Sequence, residues 1–138
     1  MNYDEWVNVC KEAKGKITDA KTVYAESIKL ITDFQKEHFI AFYLNTKNKI
    51  IHSEVVSIGT LDSALIHPRE IFKPAFIHSA HSIIIAHNHP SGDTTPSVED
   101  NKITEQLKKA GELLNIQLLD HVIIGVDSWF SYDDRTMF

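Results

Sequence analysis

The stretch "IIIAHNHPSGDTTPSVEDNKIT", residues 83–104, decides how this chain is read. Four apolar residues, Ile83 to Ala86, run into His87 and His89. Side chains two apart on a strand point to the same face, so the two imidazoles can be aimed at one point. Pro90 cannot continue a central ladder, and the strand stops there. Ser91, Gly92 and Asp93 can turn the chain, and Pro96-Ser97 can start a helix with Asp100 in its first turn. A loop folded back in this way brings Asp100 to the two histidines. Two nitrogens and a carboxylate oxygen suit zinc, and three protein ligands leave the fourth tetrahedral position for water, as in a catalytic site.

Each of these residues also has a plainer reading. A His-x-His pair alone is common. Ser97 followed three residues later by an acid resembles a capping box, and an acid in the first turn suits the helix dipole. Asp93 competes with Asp100 as third ligand, although beside Gly92 it is equally well explained as a turn residue. The residues by themselves leave that choice open.

The elements around this stretch alternate. A helix is predicted over 20–34, with Thr18 or Asp19 as N-cap. "HFIAFYL" (38–44) and "IIHSEVVSIG" (50–59) read as strands joined by the turn "NTKNK". Residues 67–80 read as a helix kinked at Pro74. A strand at 82–87 precedes the clearest helix, from Ser97 to about 115, with Ile103, Leu107, Ala110 and Leu114 on one stripe. Strands at 116–125 and 128–132 complete the chain. Residues 1–17 read as an arm or short helix ahead of a single domain, 18–138. The pattern predicts an α/β sandwich around a mixed sheet.

Composition narrows the function classes. The 138 residues are 43% hydrophobic and 24% charged, with a formal net charge of −5. That balance argues against a nonspecific nucleic-acid or membrane-surface binder, which needs clustered Lys and Arg. Cys10 is the one cysteine, so no intrachain disulfide can form, which fits a reducing compartment. No apolar run is long enough to span a membrane, and the first residues lack the features of a signal peptide, so a cytoplasmic protein is expected.

"HNHPSGDTTPSVEDNKIT" (87–104) resembles the RadC-type branch of the JAB/MPN superfamily. His87-x-His89, seven residues, Ser97, two residues, Asp100 is similar to the superfamily's JAMM metal motif, and His-Asn-His-Pro-Ser-Gly is the RadC-like hallmark. "GTLDSALIHPREIFKPA" (59–75) and "LLDHVIIG" (118–125) resemble the same family, in the same order. The resemblance covers roughly residues 18–133. It implies an MPN/JAB, cytidine-deaminase-like, three-layer sandwich with its sheet flanked by helices. It further implies a zinc-dependent metallopeptidase or isopeptidase-like hydrolase with His87, His89 and Asp100 as zinc ligands. Glu37, just before the first core strand, matches the family's general base, with Glu54 and Glu70 as rivals. Ser97 matches the serine that polarises the scissile carbonyl. Asp120 and His121, which interrupt an apolar strand, are expected either to orient a ligand histidine from behind or to form a satisfied core pair.

Longer RadC proteins carry an N-terminal helix-hairpin-helix region associated with DNA binding. Fewer than 40 residues precede the first core strand here, and they contain no Gly-rich hairpin. The family's traditional DNA-repair label therefore has little support in this chain, and direct DNA binding by it alone is not expected. A peptide or protein substrate is the expectation. The other reading is a noncatalytic MPN-type module that binds protein or DNA. The sequence leaves an oligomer open.

Overall fold

A computed structural model describes residues 15–59 and 66–133. The predicted N-terminal arm lies almost wholly outside the described residues, as does most of "GTLDSAL". The elements are α1 (Ala20–Ile28), β1 (Glu37–Leu44), β2 (Ile50–Gly59), α2 (Pro68–Ile77), β3 (Ser82–Asn88), α3 (Val98–Leu114), β4 (Gln117–Ile124) and β5 (Trp129–Ser131). The sheet has the order β2-β1-β3-β4-β5. All neighbours are antiparallel except β3 and β4, which run parallel and are joined through α3.

The sheet is covered on both faces. On one side Phe39, Ala41, Tyr43, Ile83 and Ile85 pack against Ile71 and Phe72 of α2 and Ile103 and Leu107 of α3. On the other, Ile40, Phe42, Ile84 and Val122 pack against Ala20, Val23 and Tyr24 of α1. This is why β1 and β3 are buried at nearly every position: alternate side chains enter different cores. The result is the expected three-layer α/β architecture of a JAB/MPN fold.

Three details differ from the sequence reading. α1 is capped by Asp19 but ends at Ile28 rather than 34. Leu30 and Ile31 both donate to the Ser27 carbonyl, and the chain then turns so that β1 can begin at Glu37. α2 runs through Pro74 and stops at Ile77, three residues short of the expected end. α3 buries Asp100, Ile103, Leu107 and Gly111, so Leu114, placed on the stripe by periodicity, is 41% exposed. The stripe turns because Gly111 meets the Ile116 carbonyl, where a side chain would not fit.

Candidate metal centre

β3 delivers the histidines. His87 is its penultimate residue and is fully buried, opposite Phe39 of β1, whose ring stacks on it at 6.0 Å. His89 follows the strand, and its backbone N–H donates to the Ile124 carbonyl of β4. The loop then returns as expected, and α3 begins behind Ser97. His87 Nε2 and His89 Nε2 lie 3.0 Å apart, and they stand 3.0 and 3.1 Å from Oδ1 and Oδ2 of Asp100.

Asp100 serves the helix as well. Ser97 Oγ accepts from the Asp100 backbone N–H, and Asp100 Oδ2 accepts from the Ser97 backbone N–H at 2.8 Å. The capping box and the ligand position are therefore one arrangement. Burial pushes the Asp100 carboxyl up, but His87, His89 and the Ser97 N–H outweigh it and hold the group well below the usual carboxylate range. The rival Asp93 turns its own carboxylate to the Thr95 backbone N–H and hydroxyl. It contributes its main-chain oxygen, which lies 2.7 Å from His89 Nδ1.

Those outer hydrogen bonds fix which nitrogens face the centre. A carbonyl only accepts, so His89 Nδ1 carries a hydrogen, and in the neutral ring Nε2 presents a lone pair. The Thr104 hydroxyl donates to the Asp100 carbonyl at 2.7 Å, so toward His121 Nδ1, 2.5 Å away, its oxygen accepts. His121 Nε2 is then the acceptor for His87 Nδ1 at 2.8 Å. His87 Nε2 is left bare and aimed at the same point as His89 Nε2. Burial above all, and then His87, drives His121 well below the ordinary histidine range, so it stays neutral in this relay.

Two lone pairs and a carboxylate, held about 3 Å apart, repel one another unless something positive lies between them. The hydrogen bond to Asp100 above all raises the His89 pKa, the direction expected of an imidazole facing a carboxylate. Asp100 Oδ1 is buried and without a hydrogen-bond partner, 3.0 Å from the bare His87 Nε2. A zinc ion with bonds of ~2.0 Å separates its ligand atoms by ~3.3 Å, close to the triangle formed here. The donor set fits a metal ion. Among the described residues, these three are the group able to hold one.

Glu37, His89, Pro90, Ser91, Ser97 and Asp100 line one cavity of about 320 Å³ over this centre. Neither rival of Glu37 is among those residues. Glu54 pairs with His52 at 2.8 Å on β2, and Glu70 pairs with Arg69 on α2. Ser97 Oγ, an acceptor for the Asp100 N–H, keeps its own hydrogen to donate. Asp120 and His121 do not act together. Adjacent residues on β4 face opposite ways, and the Asp120 carboxylate accepts from Ser131 Oγ and from the N–H groups of His121 and Asp133. Only His121 backs a ligand histidine, with Tyr132 stacked on its outer face at 4.9 Å.

The sequence reading missed Thr104 and the Asp93 carbonyl. Thr104 was detectable, standing one helical turn after Asp100 on the same face. The carbonyl left no side-chain signal.

The family model described as "RadC-like JAB domain" matches residues 17–137. This chain belongs to the RadC-like JAB domain family. It is similar to the UPF0758 protein of Chlorobaculum parvum, with 52% identity over 131 residues, 95% of this chain and 59% of that protein. It is also similar to the UPF0758 protein of Methanosarcina acetivorans, with 49% identity over 125 residues, 91% of this chain and 55% of that protein. The chain thus spans a little over half the length of these curated relatives. Among the described residues no helix is long and apolar enough to cross a membrane.

Proposed function

We propose that this RadC-like JAB domain is a zinc-dependent hydrolase of the metallopeptidase or isopeptidase type, cleaving an amide bond in a peptide or protein. One observation carries the reading: His89 and Asp100 of the cluster line one cavity together with the Glu37 acid and the Ser97 hydroxyl. His87 and His89 would hold the metal through Nε2 and Asp100 through its carboxylate. Zinc there supplies Lewis acidity and brings the pKa of a coordinated water to about 7.

The chain's own residues do the rest. The Glu37 carboxylate takes a proton from the attacking water and returns it to the departing amide nitrogen, so water and amide become carboxylic acid and amine. The Ser97 hydroxyl donates to the carbonyl oxygen as negative charge grows on it. His121 holds the His87 tautomer throughout.

The test is a quenched-fluorescent peptide library assayed with zinc-loaded protein beside Glu37→Gln. Cleavage by the wild type that falls roughly 10²- to 10⁴-fold in the variant, at equal zinc content, is the expected result. Equal rates in the two proteins would remove Glu37 from the chemistry. Binding of a partner with no cleavage of any peptide would favour a noncatalytic module.

A further inference from the structure

The middle residue of His-Asn-His has no part in the metal cluster, yet it is buried and makes three hydrogen bonds. Asn88 Oδ1 accepts from the His38 backbone N–H at 2.7 Å. Its Nδ2 donates to the carbonyls of Lys36 at 3.0 Å and Phe34 at 3.4 Å. These partners flank Glu37 on both sides.

The register explains why a side chain is needed there. The β1–β3 ladder ends at Phe39 opposite His87. Continued in register, His38 would face Asn88, Glu37 would face His89, and Lys36 would face Pro90. Pro90 has no N–H to offer the Lys36 carbonyl. The His89 N–H lies on the other edge of the strand, bonded to the Ile124 carbonyl of β4, and offers β1 nothing. Backbone pairing therefore fails at the point where β1 must still be held for Glu37 to stand over the cavity. The Asn88 carboxamide has one acceptor and two donors: it satisfies the His38 N–H and joins His38 Nδ1, 2.9 Å away, in donating to the Lys36 carbonyl.

We infer that Asn88 is a positioning residue: its carboxamide replaces the missing rungs between β1 and β3 and fixes Glu37 opposite His89. The inference deepens the hydrolase reading and rests on it for its chemical meaning, but the placement can be tested without turnover. The side chain joins the segment bearing the acid to the strand bearing the ligands while leaving the cleft between them open. Substitution should displace Glu37 and leave His87, His89 and Asp100 in place.

The probe is Co²⁺ bound in place of zinc, with pseudocontact shifts read by NMR for Glu37 and, as a reference, Ile85 of β3. In Asn88→Ala and Asn88→Ser the expected results are one bound metal, unchanged shifts at Ile85 and altered shifts at Glu37. In the wild type the His38 amide should exchange slowly with solvent, which needs no variant to fold. Where a cleaved peptide is known, Asn88→Ala should lower kcat in the wild-type background and add nothing to Glu37→Gln. Unchanged Glu37 shifts in both variants, fast exchange at His38, or loss of metal from both folded variants would overturn the inference. Failure of Glu37→Gln to affect cleavage, with Glu37 still displaced in the Asn88 variants, would overturn the assignment of the base and leave the placement standing.

Discussion

Asp100 Oδ2 accepts the Ser97 backbone N–H at 2.8 Å and lies 3.1 Å from His89 Nε2, so one carboxylate closes a helix cap and faces the metal position. The two duties need different chemistry. The cap needs an oxygen acceptor, whereas the ion needs negative charge. Asp100→Asn retains an oxygen for Ser97 and removes the charge. Its helix should persist by circular dichroism while stoichiometric zinc is lost in metal analysis. Zinc content equal to the wild type would show that Asp100 is only a cap.

Ser97 allows the complementary separation. Ser97→Ala loses the N-cap and should cost about 1 kcal/mol in urea unfolding, whereas Ser97→Gly costs only a few tenths. Neither variant can donate to a substrate carbonyl. Both should therefore show the same fall in kcat, roughly 10²-fold, despite unequal stability. A rate loss that followed stability, large in Ala and absent in Gly, would confine the serine to the helix.

The relay through Thr104 and His121 reaches His87 from behind. His121→Phe leaves the His87 Nδ1–H without an acceptor and should weaken zinc binding roughly 10- to 100-fold. Thr104→Val should weaken it less, because His121 remains present and only its orientation is released. Competition with a chelating dye measures both affinities. Nitrogen-15 NMR of the histidines should place the His87 hydrogen on Nδ1 in the zinc-loaded wild type.

Gly125 lies where the returning loop passes over the end of β4. A methyl group there would come within 2.7 Å of the Gly92 carbonyl and the Ser128 hydroxyl, and within 2.6 Å of Thr94. The same loop supplies the Asp93 carbonyl that holds His89. Gly125→Ala should destabilise the protein by about 1–3 kcal/mol and also lower zinc affinity. A variant equal to the wild type in both melting temperature and zinc affinity would show that the loop moves aside freely.

Much of this was legible because it rests on local rules. Parity on β3 predicts that His87 and His89 share a face, and Pro90 marks where the strand must stop. Ser97 with Asp100 announces the start of α3. What escaped depended on partners distant in sequence. Nothing near Ile28 says that α1 must end there, since the reason is the position of β1. The separation of Asp120 from His121 follows from strand alternation, but which of them would find a ligand depended on the β3–β4 register. Asp93 competed with Asp100 because side chains are visible in a sequence and main-chain carbonyls are not. Glu37 was chosen by family resemblance. Its place in line with His89 becomes clear only once β1 and β3 are known to be antiparallel neighbours.

The two apolar cores contain none of His87, His89, Asp100, Glu37 or Ser97. The sheet and its covering helices could therefore outlast the loss of every reactive group above them. Apolar replacements at His87 or Asp100 end a buried repulsion in the metal-free domain but strip His121 Nε2 or the Ser97 N–H of its partner, so the two effects oppose each other. A chain that lost the site could therefore keep the scaffold at a cost of about 1 kcal/mol for the lost cap, because the apolar cores that hold the sheet lie elsewhere.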